Sequence, residues 1–220
     1  MDFDVDYLIK QIPSLGEGLL MTIQLSSLSI VLALLVGIVG AVIRMMHMPV
    51  LSQLTTAYVE LVRNTPLLAQ IFFIFYGLPA IGVKLSMFWS GVLTLVFWAG
   101  AYQIENLRGG LQSVTVHHRA SGLALGLSKW DVVRLIALPL ALRASVPSLL
   151  NTSVSLLKNS AFLQAVGIAE LTYVAIDRIA MDFRTMEMLV ALCVTYLVMI
   201  LALSAFAGWL EHHLRKPFRT

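Results

Sequence analysis

The sequence predicts an all-α integral membrane protein with about five transmembrane helices and one short helix at the membrane surface. Three observations carry this. Of the 220 residues 59% are hydrophobic and the mean hydropathy is +0.86, far above the near-half apolar usage of soluble domains. Apolar runs long enough to cross a hydrocarbon core about 30 Å thick recur along the chain. Between the third and fourth runs lies a stretch, Arg119 to Pro139, where small residues cluster and a helix stops and restarts.

The charge balance fits this class. A net charge of +3 and a pI of 9.2 raise nucleic acid as a partner, but the basic residues are scattered between apolar segments and form no stripe, which is the pattern of positive-inside bias. Cys193 is the one cysteine, so no disulfide or zinc framework exists within the chain; it reads as a buried small hydrophobe. Asp2, Asp4 and Asp6 are acidic where a signal peptide carries positive charge, so insertion relies on the first retained span.

Taken in order, the first span runs over about 19–43, with Thr22, Gln24, Ser26, Ser27 and Ser29 placed to face protein, and ends at Arg44, His47 and Pro49. The second covers about 54–79. Glu60, Arg63, Asn64 and Pro66 interrupt it, so a kink or break is expected near Arg63, with Glu60 and Arg63 spaced to pair on one face. The third, about 86–107, ends with Glu105 and Arg108 at the same spacing. A surface helix follows at about 118–128, and Ser128 with Asp131 forms a capping-box pattern for the fourth span, about 132–157, which contains Pro139 and Pro147. Ala161 to Val174 is a further apolar piece, re-entrant or interfacial, and would make a sixth segment if it crosses. The fifth span, about 186–210, leads to a basic tail with Arg215, Lys216 and Arg219. Basic residues favour the side of Arg44, Arg119, Lys129 and the tail as cytoplasmic, with the amino terminus outside and the carboxyl terminus inside.

The stretch around Gly126 resembles the cytoplasmic coupling loop of the membrane subunits of ATP-binding-cassette importers, whose signature is Glu-Ala-Ala, three residues, Gly, nine residues, Ile, one residue, Leu-Pro. Here Ala120, Ser121 and Gly122 take the first places, followed by Gly126, Ile136, Leu138 and Pro139. Tyr58 to Phe73, Gly100 to Gly110 and Leu156 to Ser160 are similar to motifs of the polar amino acid permeases of that class. The chain departs from the pattern at His117-His118, where relatives have Gly-Gln, and at Ala120, where they have Glu. The resemblance implies a type I ABC importer permease in the bacterial cytoplasmic (inner) membrane. It would pair with a second permease, identical or homologous, with two ABC ATPase subunits and with an extracytoplasmic amino acid binding protein.

On that resemblance Arg119, Ala120, Ser121, Gly122, Leu123, Leu125, Gly126 and Leu127 form the ATPase-coupling segment. Arg63, Glu105, Lys158, Asn159 and Ser160 are candidates for the substrate pathway, since ionisable groups at membrane depth are costly and mark function. Lys158 suits a substrate carboxylate and Glu105 its ammonium. Asn159 stands where some relatives have Asp, which points to a neutral polar or acidic amino acid. No phosphate-cradling Gly-x-x-x-x-Gly-Lys-Ser/Thr loop occurs, so ATP and magnesium are expected in the partner ATPase and the chain is no enzyme. The adjacent histidines His117-His118 and His212-His213 point apart on a helix, and no metal site is expected. The rival reading is a stand-alone secondary transporter or channel, though no repeat of one half in the other supports it.

Overall fold

The computed structural model describes residues 3–111 and 116–215, and among them every regular element is a helix. We number these α1 (Val5–Met45), α2 (Pro49–Arg63), α3 (Leu67–Ala80), α4 (Met87–Leu111), α5 (Val116–Ala124), α6 (Lys129–Val166), α7 (Leu171–Asp182) and α8 (Thr185–Arg215). By length and composition α1, α4, α6 and α8 can each cross a membrane; α2 and α3, bent by 112° at the break between them, form either a fifth, broken span or a re-entrant loop. Asp2, Lys216 and Arg219 lie outside the described residues, as do the side chains of His117, Arg119 and Arg215.

Helix α1 starts well before the expected 19. Its 41 residues extend about 60 Å, roughly twice the hydrocarbon thickness. Residues 5–18 are too polar to register as a span, yet Tyr7, Gln11, Ser14 and Gly18 repeat at helical spacing and are its more covered positions. Tyr7 donates from its hydroxyl to Asp182 at 2.7 Å.

The kink expected near Arg63 is a full break. Helix α2 ends there, and Asn64 closes it by donating from its backbone N–H to the Glu60 carbonyl at 3.1 Å and from Nδ2 to Glu60 Oε2 at 3.1 Å. Glu60 is thus bound to Asn64, and Arg63 ion-pairs with Glu105. Helices α3 and α6 solve the proline problem the same way. Each carries a π-helical turn, Phe73–Gly77 and Val133–Ala137, that ends two residues before Pro79 and Pro139. The wider turn relieves the clash between a proline ring and the carbonyl one turn back. Helix α6 therefore runs unbroken through Pro139 and Pro147, and tightens to 3-10 geometry over Ser160–Val166. Helix α7, with 12 residues, is about 18 Å long and too short to span.

The chain forms two compact units, one of Met1–Ser29, Leu67–Leu95 and Val154–Ala205, the other of Ile30–Pro66, Val96–Ser153 and Phe206–Thr220. In the first, Thr22 Oγ1 accepts from the Leu171 N–H at 3.1 Å and donates to the Gly18 carbonyl at 3.0 Å, fastening α1 to the start of α7. In the second, α1 and α4 approach so closely at Gly37 that an added Cβ would sit 2.5 Å from the Gln103 Cβ. Polar side chains join α4 to α6: Gln103 Nε2 donates to the Leu149 carbonyl at 3.3 Å, Asn106 Nδ2 to Thr152 Oγ1 at 2.8 Å, and Ser145 Oγ to the Asn106 carbonyl at 2.8 Å. The apolar core around them holds Ala41, Leu107, Ala137, Ala141 and Leu149.

Helix α8 buries none of its most apolar window within the chain. Cys193, expected in a core, is exposed on it. In lipid a helix needs no covered face to keep its apolar side chains, so hydrophobicity alone does not imply burial.

Candidate functional site

The surface segment begins with α5, which ends at Ala124 and not at the expected 128. Gly126 adopts φ +83°, a left-handed conformation glycine accepts at little cost. The Leu127 N–H bonds back to the Gly122 carbonyl at 3.1 Å and the Gly126 N–H to the Leu123 carbonyl at 3.0 Å, the paired bonds of a Schellman C-cap. The chain then restarts at once: Ser128 Oγ accepts from the Asp131 N–H at 3.1 Å and caps α6.

The two glycines do different things. Gly122 is buried, and a Cβ there would come within 2.8 Å of Ile136 and 3.0 Å of Val132, so it lets α5 lie against α6 of its own chain. Gly126 has open space around its Cα. They do not make one flat patch, contrary to what their spacing suggests. The outward face includes Ala120, Ser121, Leu123 and Leu125, all exposed, with Leu127 half-buried. Beside it a groove of about 340 Å³ is lined by Met45, His47, Leu123, Lys129 and Val132.

A second constellation gathers at helix ends. Glu105 near the end of α4 is bound by Arg44 Nη1 at 2.6 Å, by Arg108 Nε at 2.8 Å and by Arg63 Nη1 at 3.5 Å. The Arg63 guanidinium also lies 5.5 Å over the Tyr102 ring. Arg63 and Glu105 are therefore brought together, but the Glu105 carboxylate is committed to guanidiniums and is poorly placed to accept a substrate ammonium. Arg44, read from sequence only as the end of a span, is part of this site. Its partner is 61 positions away, a separation no local spacing rule reaches.

Lys158, Asn159 and Ser160 sit where α6 changes from α to 3-10 geometry. Lys158 is exposed, and among the described residues it makes no hydrogen bond or ion pair. Ser160 is buried and donates to the Leu157 carbonyl at 2.7 Å. Lys158 belongs to the first unit and Glu105 to the second. Next to the segment is a network that sequence reasoning missed. Glu170, fully buried, caps α7 by accepting from the N–H groups of Thr172 at 2.9 Å and Tyr173 at 2.8 Å. Tyr196 donates its hydroxyl to Glu170 Oε2 at 3.0 Å and shares a second hydrogen bond of 3.0 Å with Thr172 Oγ1. The available signal was an acidic residue directly before a helical run, inside what reads as an apolar piece.

Helix α5 is thus a short capped helix packed on α6 through Gly122, with Ala120, Ser121, Leu123 and Leu125 exposed. Residues 18–216 match the model of the family described as binding-protein-dependent transport system inner membrane component. The chain belongs to that family. It is a permease subunit of the ABC importer class, all-helical and multi-pass in the inner membrane. It is 34% identical over 217 residues to the glutamine transport system permease protein GlnP of Escherichia coli (strain K12), covering 98% of this chain and 99% of that protein. With the arginine transport system permease protein ArtQ of Bacillus subtilis (strain 168) it shares 26% over 216 residues, again 98% and 99% of the two chains. Among solved structures, an amino acid ABC transporter crystallised with histidines superposes with a TM-score of 0.87 at 29% identity, covering 97% of this chain and 100% of that one. The MetNI methionine ABC transporter shares the fold, with a TM-score of 0.71 at 18% identity over 96% and 99%.

Proposed function

We propose that this permease imports a polar amino acid, neutral or acidic. It works beside a second copy of itself or a homologous permease, on two cytoplasmic ABC ATPase subunits that hold the ATP and magnesium, and receives its substrate from an extracytoplasmic binding protein. The similarity to GlnP over nearly the full length carries the substrate class, and the outward face of α5 supports the ATPase contact. The amino terminus is outside and the carboxyl terminus cytoplasmic in this scheme, which puts α5 at the ATPases. Their closure moves α5 and α6 together, because Gly122 packs α5 directly on Val132 and Ile136.

Lys158, exposed and without a partner among the described residues, is available to a substrate carboxylate, with Asn159 and Ser160 shaping the same turn. Arg63 and Glu105 serve the pathway by tying helix ends together. The deciding experiment is purification in mild detergent from cells carrying the whole transporter. Retained ATPase subunits and substrate-stimulated ATP hydrolysis in liposomes support the scheme. Transport by the permease alone would replace it with a stand-alone carrier.

A further inference from the structure

We propose that the arginine cluster around Glu105 is a binding site for a phosphate anion, either the headgroup phosphate of an anionic lipid or free phosphate, held by Arg63 and Arg108. Three guanidiniums share a single carboxylate, leaving two positive charges that the cluster does not neutralise. Among the described residues no other carboxylate forms an ion pair with these arginines. Glu60, one turn before Arg63, is exposed and hydrogen-bonded to Asn64.

Exposure divides the cluster into a base and an open side. The side chains of Glu105 and Arg44 are 16% and 22% exposed, whereas those of Arg63 and Arg108 are 43% and 45% exposed. Tyr102, itself 4.7 Å from Trp98 between ring centroids, supports one face of the Arg63 guanidinium. Stacking of that kind leaves the N–H edge for hydrogen bonds, and two forked guanidiniums fit the oxygens of a phosphate better than they fit a monovalent spherical ion.

The position agrees with the chemistry. Arg44 lies in the last turn of α1, Arg63 is the final residue of α2 and Arg108 lies in the last turn of α4. Arg44 and Arg108 close two long apolar helices, and basic residues at the ends of spans meet the headgroup layer, where anionic lipids concentrate; Arg63, at the break between α2 and α3, is held beside them through Glu105. Arginine at a helix carboxyl end also answers the partial negative charge there, and that alone would require no cluster. Convergence of three on one carboxylate goes beyond it.

The test uses the full-length protein in mild detergent, with phosphatidylglycerol or phosphatidylcholine in the micelles and, separately, sodium phosphate against sodium chloride at equal ionic strength. Binding and the thermal midpoint are read in each. Wild type should bind phosphatidylglycerol in preference to phosphatidylcholine and unfold at a higher temperature with it. Arg63→Gln and Arg108→Gln, made singly so that the Arg44–Glu105 pair remains, should each weaken that binding roughly tenfold. Lys84→Gln, in the loop between α3 and α4, should change nothing. A phosphate effect that is lost in the same two variants assigns free phosphate; an effect of phosphatidylglycerol alone assigns a lipid. Equal behaviour of the two lipids with no phosphate effect, or variants indistinguishable from wild type, overturns the site. Should a variant fail to fold, photoactivatable phosphatidylglycerol on wild type must label peptides holding Arg63 or Arg108, and labelling elsewhere is equally fatal. None of these readouts involves uptake, so import can fail or hold independently.

Discussion

Gly126 allows a test in which backbone conformation and side-chain volume can be separated. Its φ of +83° is unfavourable for residues with a Cβ, yet no atom stands near the place a Cβ would occupy. Gly126→Ala should therefore lose about 1–2 kcal/mol of the capped conformation through backbone strain alone, and Gly126→Val more, because a branched Cβ tolerates positive φ worst. Gly126→Asn should stay close to wild type, since asparagine visits this region readily. A loss of about 1–2 kcal/mol reduces the population of the correct turn roughly 5- to 30-fold. That should uncouple substrate-stimulated ATP hydrolysis from uptake in reconstituted liposomes while the permease remains folded by thermal unfolding. If Ala, Val and Asn all impair coupling equally, the residue acts by occupying space in an interface and the conformational argument is wrong. Full activity of the valine variant would show that this turn is not transmitted to function at all.

Gly37→Ala should destabilise the α1–α4 contact by about 1–3 kcal/mol, because its Cβ would stand 2.5 Å from that of Gln103; the thermal midpoint in detergent measures it. Glu105→Gln should cost about 1–3 kcal/mol by leaving three guanidiniums without their shared anion, less than for a fully buried pair because Arg63 and Arg108 are part-solvated. Adding Arg108→Gln should recover part of that loss in a double-mutant cycle, and strict additivity would contradict the shared-anion geometry. Tyr196→Phe should lower stability by about 1 kcal/mol, as Glu170 loses one of its hydrogen bonds, and equilibrium unfolding by denaturant reads the change. Lys158→Ala should raise the substrate concentration needed for half-maximal uptake; unchanged affinity and selectivity in competition assays would remove Lys158 from the pathway.

The legible part of the molecule follows from rules that act within a few turns of chain. Runs of apolar residues announced the spans, and Gly126, Ser128 and Asp131 announced a helix stop and restart through torsion and capping, which are local. The break after Arg63 was visible in Pro66 for the same reason. The Glu60–Arg63 pairing suggested by spacing gave way because Glu105, some forty positions on, offers Arg63 a carboxylate already shared with other arginines, and Asn64 occupies Glu60. In α6 a π turn just before Pro139 accommodates that proline, a device its residue type alone does not announce. Glu170 was hidden because its value lies in what α8 brings to it. Ala120, which stands where relatives have glutamate, sits exposed on α5.

The division of labour between Gly122 and Gly126 bears on how such a signature can evolve. One glycine sets a distance within the chain and the other sets a torsion, so both constrain the permease's own backbone and neither writes a message to the partner. In the proposed scheme the message is written at Ala120, Ser121, Leu123 and Leu125, exposed positions that can be rewritten without disturbing the turn. Two permeases sharing this turn can therefore address different ATPases, and exchanging those four side chains between homologues should switch partner choice while leaving the fold untouched.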